Sequence, residues 1–195
     1  MADKVLGKAP VGISNRHVHL SAADVDKLFG SGHSLTNIKD LSQPGQFAAD
    51  ETVTLVGPKG VIPRVRVLGP TRGQTQVEIS RTDAFALGVR PPVRDSGDHE
   101  GSAGQVTVVG PNGAVTLSKG IILAKRHVHM TPADAERMGL QNKDLVKIRC
   151  GGPRALTFEQ VLVRVHEDFA LDCHLDTDEA NAAMLNNGDE VEILR

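Results

Sequence analysis

Arg-His-Val-His occurs at Arg16–His19 and again, 110 positions later, at Arg126–His129. The following residues match too: Leu20-Ser21-Ala22-Ala23-Asp24 lines up with Met130-Thr131-Pro132-Ala133-Asp134. On a helix, the two histidines of His-x-His point about 200° apart; on a strand, residues i and i+2 project from one face. His17 with His19, and His127 with His129, are therefore each set to grip one cation. A catalytic zinc takes three protein ligands and keeps a fourth position open, so each pair needs one more donor.

The repeat proposes that donor. Glu78-Ile79-Ser80-Arg81-Thr82-Asp83-Ala84 aligns without gaps to His174-Leu175-Asp176-Thr177-Asp178-Glu179-Ala180, which places Glu78 and His174 at equivalent positions. One set is His17, His19 and Glu78; the other is His127, His129 and His174. No ligand is shared, so two separate mononuclear sites are expected. His33, His99 and His166 have no partner pattern and read as surface or structural residues. Cys173 neighbours His174 but should face the other side of its strand.

The Gln74–Ser80 strand alternates. If Glu78 faces a metal, Gln76 faces it too, with Arg72 just upstream on the same parity. Arg164 lies on the second repeat's strand, ten positions before His174. An arginine fork beside a divalent cation suits phosphate. The competing reading is that Arg72 and Arg164 are solvated strand-end charges.

Both histidine pairs fall where a strand ends and a helix begins. Val11–Ile13 and Gly120–Leu123 are the strands. Ser21 and Thr131 are helix N-caps with Asp24 and Asp134 at N3, and Pro132 sits at N1. The first helix is expected to stop near Phe29, at Gly30. Hairpins are expected around Gly57-Pro58-Lys59-Gly60 and Gly110-Pro111-Asn112-Gly113. Further strands are expected at 74–80, 145–149, 160–166 and 190–194. These predict a mainly β chain with short helices: two tandem small β-barrel domains related by an internal repeat, helices capping the barrels. The first repeat is placed at 11–92, a Pro/Gly/Asp/Ser-rich linker at 93–104, and the second repeat at 105–195.

A net charge of −2 and the absence of Trp and Tyr argue against nucleic-acid or anionic-lipid partners. No apolar run approaches the ~20 residues of a membrane span. No secretion signal precedes Cys150 and Cys173, so both read as reduced thiols.

Together, the twin Arg-His-Val-His motifs, Arg72…Gln76-Val77-Glu78 and Val163-Arg164-Val165…His174 resemble the phosphate propanoyltransferase (PduL-type phosphotransacylase) family, from about Val11 to Arg195. The resemblance implies two β-barrels with two zinc ions per chain, held by the two sets above. It implies interconversion of short-chain acyl-CoA (propanoyl-CoA or acetyl-CoA) plus phosphate with acyl phosphate plus CoA, by zinc-assisted direct attack of phosphate on the thioester. It makes Arg72 the catalytic phosphate ligand, with Ser14, Gln43, Gln76 and Arg164 as further polar lining and Phe85 as a CoA contact. Many members of that family work in the lumen of bacterial microcompartments, as in propanediol degradation, beside a CoA-acylating aldehyde dehydrogenase. Met1–Pro10 offers no amphipathic encapsulation helix, which keeps a cytoplasmic location open. Assembly is also open, with a homodimer as the working expectation. The rival readings are a zinc-dependent thioesterase or phosphatase that activates water, and a non-enzymatic zinc-stabilised binding module.

Overall fold

In the computed structural model, residues 3–195 are described; Met1 and Ala2 lie outside them. In chain order the elements are β1 (Val5–Ser14), β2 (His17–His19), α1 (Ala22–Phe29), β3 (Asn37–Asp40), β4 (Phe47–Val56), β5 (Val61–Gly69), β6 (Gln76–Glu78), α2 (Arg81–Leu87), β7 (Val93–Arg94), β8 (Val106–Val109), β9 (Ala114–Leu117), β10 (Ile121–Ala124), β11 (His127–Met130), α3 (Pro132–Met138), β12 (Leu145–Cys150), β13 (Leu156–Val165), β14 (Asp172–Asp176), α4 (Thr177–Ala183) and β15 (Glu190–Leu194). The chain is mainly β with four short helices among the described residues, as the Val/Ile/Thr-rich runs and close turn signals require.

These elements form two units. The first-repeat unit holds residues 15–41 and 45–124; the second-repeat unit holds 3–14, 42–44 and 125–195. In the second-repeat unit the order β1-β14-β11-β13-β12-β15 closes into a barrel, so no strand edge of that path is left unpaired. In the first-repeat unit the strands run β7-β10-β6-β2-β5-β4-β8-β9, with β3 added on β4.

The units are not contiguous in sequence, unlike the 11–92 and 105–195 segments. β1 pairs in parallel with β14, Gly12 opposite His174, and β10 pairs in parallel with β6, Ile122 opposite Glu78. The register is the same in both units, but each half of the chain supplies its leading strand to the other half's sheet. The links are short: only Asn15 and Arg16 separate β1 from β2, and only Lys125 and Arg126 separate β10 from β11. Met1–Pro10, irregular by sequence, is thus mostly strand within its described part, and the Gly110–Gly113 hairpin belongs to the first-repeat unit.

Helix boundaries follow the expected chemistry. The Ser21 hydroxyl accepts from the Asp24 N–H, and Gly30 ends α1. Asp24 does not complete a capping box; its carboxylate accepts from Thr75 Oγ1 at 2.5 Å. Ser80/Asp83, Thr131/Asp134 and Asp176/Glu179 each make both reciprocal bonds. The two Gly-Pro turns dock on helix ends: a Cβ at Gly57 would lie 2.3 Å from the Leu87 carbonyl oxygen, and one at Gly110 2.5 Å from that of Leu28. Each unit has its own aliphatic core. Val18, Leu20, Leu55, Val67, Val77 and Leu87 anchor the first; Val128, Met130, Ile148, Val163, Leu175 and Ile193 anchor the second.

Candidate metal centres

The sheets bring both expected ligand sets together. His17 stands directly opposite Glu78 across the antiparallel β2–β6 ladder, and His127 opposite His174 across β11–β14. Within each trio the donor atoms all lie within 4.8 Å of one another. In the first trio the Glu78 Oε2 is 3.6 Å from His17 Nε2, and Oε1 is 3.8 Å from His19 Nε2. His17, His19, Glu78, His127 and His129 are buried, and His174 is partly buried.

Ring orientations are preset in the same way in both units. His17 Nδ1 lies 2.8 Å from the Asn15 carbonyl, and His127 Nδ1 lies 2.8 Å from that of Lys125. A carbonyl can only accept, so the proton sits on Nδ1 and the Nε2 lone pair faces the cluster. His129 supplies the fit test. Both of its ring nitrogens are buried with no hydrogen-bond partner among the described residues, a costly arrangement that a coordinated cation would relieve at one of the two. The donor sets, two imidazoles with a carboxylate and three imidazoles, suit zinc.

Electrostatics favour an ionised Glu78 carboxylate and neutral rings at His19 and His129. Burial would raise the Glu78 carboxyl, but the charge and hydrogen bond of His17, then His19 and Ser96, hold it well below the carboxylate range. His17 is raised, Glu78 outweighing the opposing burial. Burial, then His17 and Arg72, push His19 down to about 3; burial, then His127, His174 and Arg164, push His129 down to about 2. The sign for the metal-free chain follows. Between about 6.5 and 2 the unfolded His129 binds a proton that the folded one refuses, so its contribution to stability is present above 6.5 and lost as pH falls. His19 and Glu78 act the same way, and His17 the opposite. Calorimetry on chelator-stripped protein should show a melting midpoint that drops from pH 7 to pH 4. The His129→Asn variant should show a shallower drop; an equal slope would remove His129 as a cause.

The remaining expected residues are placed as follows. Arg72 donates to Ser96 Oγ at 3.1 Å, and Ser96 donates to Glu78 Oε1 at 2.6 Å, so the guanidinium is tied to Glu78 through one hydroxyl. Gln76 is fully buried and donates to Glu78 Oε1 at 2.6 Å and to Ser96 at 3.2 Å, while accepting from the Gly97 N–H. Arg164 sits opposite His129 in the ladder, its guanidinium carbon 5.8 Å from the Phe169 ring centroid. Gln43 spends its amide on Ala170, donating to its carbonyl and accepting from its N–H. Ser14 lies at the end of β1, opposite Asp176, in the second-repeat unit. Phe85 projects from α2, 70% exposed, with Arg81 over its ring at 4.5 Å.

Sequence reasoning missed four features. Ser96, in the segment read as a linker, is the hub between Arg72, Gln76 and Glu78. Phe169 stacks on His129 at 4.3 Å between ring centroids. Asp172 accepts from His174 Nε2 at 3.0 Å. The arginines that open the two motifs bind neither trio: Arg16 pairs with the capping-box acid Asp83 at 2.8 Å, and Arg126 with Glu179 at 3.0 Å. Each ties the histidine strand to the helix that follows the third ligand. An Asp-x-His spacing on a strand was the visible signal for Asp172; Ser96 carried none.

Gly12 is required beside the second trio. A Cβ there would meet Asp172 Oδ2 at 2.8 Å and His174 Cδ2 at 2.9 Å. Gly12→Ala should cost about 1–3 kcal/mol of stability by overpacking and displace His174. Metal analysis should then find the second-repeat unit depleted and the first intact; full retention of both ions would contradict this.

A duplicated β scaffold with a two-histidine carboxylate trio in one unit and a three-histidine trio in the other defines a protein with two candidate metal centres. The sequence profile described as phosphate propanoyltransferase matches residues 10–186, and the chain belongs to that family, whose members are acyltransferases. It is 63% identical over 195 residues to the phosphate propanoyltransferase of Thermotoga maritima, covering 98% of this chain and 92% of the relative. It is 55% identical over 178 residues to that of Rhodobacter capsulatus (91% and 82%), and 52% over 185 residues to that of Rhodopseudomonas palustris (95% and 81%).

Proposed function

We propose that this acyltransferase interconverts short-chain acyl-CoA plus phosphate with acyl phosphate plus CoA, with a zinc ion in each trio. The observation that carries the zinc reading is the convergence of three donors in each unit, with Arg72 fastened to Glu78 through Ser96. Bound zinc would supply Lewis acidity to the thioester carbonyl and a soft site for the departing thiolate.

The chain's own groups do the rest. Arg72 presents a cationic fork to phosphate and neutralises charge there. Ser96 and Gln76 hold Glu78 in its ionised, metal-facing rotamer. A phosphate oxygen attacks the carbonyl carbon, the new C–O bond forms, the C–S bond breaks, and CoA leaves as thiolate to take a proton from water. Phosphate is largely dianionic near neutrality and needs no strong base, so positioning is the main task. An acyl-enzyme route lacks a nucleophile among the cysteines. Both are buried; burial pushes Cys150 up to about 11 and Cys173 higher still. Phe85 is assigned to CoA, and Ser14, Gln43 and Arg164 to the polar surroundings of the reactants.

Propanoyl-CoA and acetyl-CoA are both accepted in this reading, and a CoA-acylating aldehyde dehydrogenase is the expected supplier of acyl-CoA. A microcompartment lumen or the cytoplasm would suit that partner, and a homodimer is the expected assembly. None of the described helices is long and apolar enough to cross a membrane.

The decisive assay follows free thiol from propanoyl-CoA with and without phosphate. Release that requires phosphate and yields an acid-labile acyl phosphate supports the proposal. Equal release without phosphate would make the protein a thioesterase.

A further inference from the structure

We propose that Asp172 carries the negative charge of the second metal centre: the carboxylate that the first centre uses as a ligand is moved, in the second, to the outer partner of a ligand. This rests on the two-zinc reading above and adds a positioning residue to it.

The registers make the comparison direct. In the first-repeat unit Glu78 stands opposite His17, and Gln76 opposite His19. In the second-repeat unit His174 stands opposite His127, and Asp172 opposite His129. Asp172 is therefore the counterpart of Gln76, as His174 is of Glu78. In both units these two residues bond to each other. Gln76 Nε2 donates to Glu78 Oε1 at 2.6 Å, and His174 Nε2 donates to Asp172 Oδ2 at 3.0 Å. One member of each pair is neutral and the other anionic, with the order reversed. Each centre thus has one carboxylate in or against its ligand set.

The physical need is plain. A divalent cation enclosed by three neutral imidazoles leaves its charge uncompensated in a poorly solvated site. A buried carboxylate hydrogen-bonded to one imidazole restores part of that compensation, fixes the tautomer and raises ligand basicity. Asp172 meets these conditions. It is 4% exposed, and its Oδ2 lies 3.0 Å from His174 Nε2. With its proton on Nε2 toward Asp172, a neutral His174 keeps its lone pair on Nδ1. The bare Cα of Gly12 leaves room for the carboxylate.

The test is chelator competition on the zinc-loaded full chain, read as ions retained, with Asp172→Asn as the charge-only variant and Asp172→Gln/His174→Glu as the transposed one. The wild-type chain should hold two ions. Asp172→Asn should release one of them at roughly 10–100-fold lower chelator concentration while the other is unchanged. Cobalt substituted at the second centre should show a shifted absorption band. The transposed variant, which copies Gln76/Glu78, should regain most of the lost retention. Wild-type retention by Asp172→Asn would overturn the charge placement. If Asp172→Asn does not fold, the transposed variant decides alone: two ions held supports the proposal, one overturns it. A wild-type chain that binds no zinc would instead overturn the reading underneath.

Discussion

His174→Ala should leave one metal per chain instead of two and lower phosphate-dependent CoA release by about 10³-fold, the equivalent of roughly 4 kcal/mol of transition-state stabilisation. The size follows from what is lost. His174 is the third donor of its trio, and it binds Asp172, so the change removes a candidate ligand and one hydrogen bond of a buried carboxylate together. Two imidazoles hold zinc much more weakly than three. The fold should survive, because the His174 side chain is 22% exposed while the barrel core rests on Val128, Ile148, Leu175 and Ile193. Metal analysis and the thiol assay on the same sample check both halves. Full activity with one ion would make the second centre structural.

Arg72→Ala should leave both ions in place and raise the KM for phosphate by about 10–150-fold, the value of a charge-assisted hydrogen bond of ~1.5–3 kcal/mol. Arg72 reaches Glu78 through Ser96, which Gln76 also holds. The KM for acyl-CoA should change little, which separates phosphate binding from general damage. Arg72→Lys should recover only part of the loss, since an ammonium cannot reproduce the fork. Initial rates across phosphate concentrations measure this; an unchanged phosphate KM would remove Arg72 from the site.

The parts of this arrangement governed by local rules were legible in the sequence. The strand period of two put His17 with His19 and His127 with His129. Cap chemistry placed α1 and α3, and the gapless repeat alignment put Glu78 and His174 at equivalent positions. What was hidden depends on long-range pairing. Nothing local to Val11–Ile13 says that it will pair with β14, because a parallel ladder partner 162 residues away leaves no periodic trace. Ser96 was hidden for the same reason: its loop has no pattern, and its role exists only once Gln76 and Glu78 are beside it. Asp172 showed a spacing, but no partner until β1 and the 42–44 segment closed around it.

The most direct test is elemental analysis of the purified chain, before and after His17→Ala and His127→Ala. The account predicts two zinc equivalents per chain, falling to one in each single variant and to none in the double. A chain that folds and transfers acyl groups with no bound metal would contradict it.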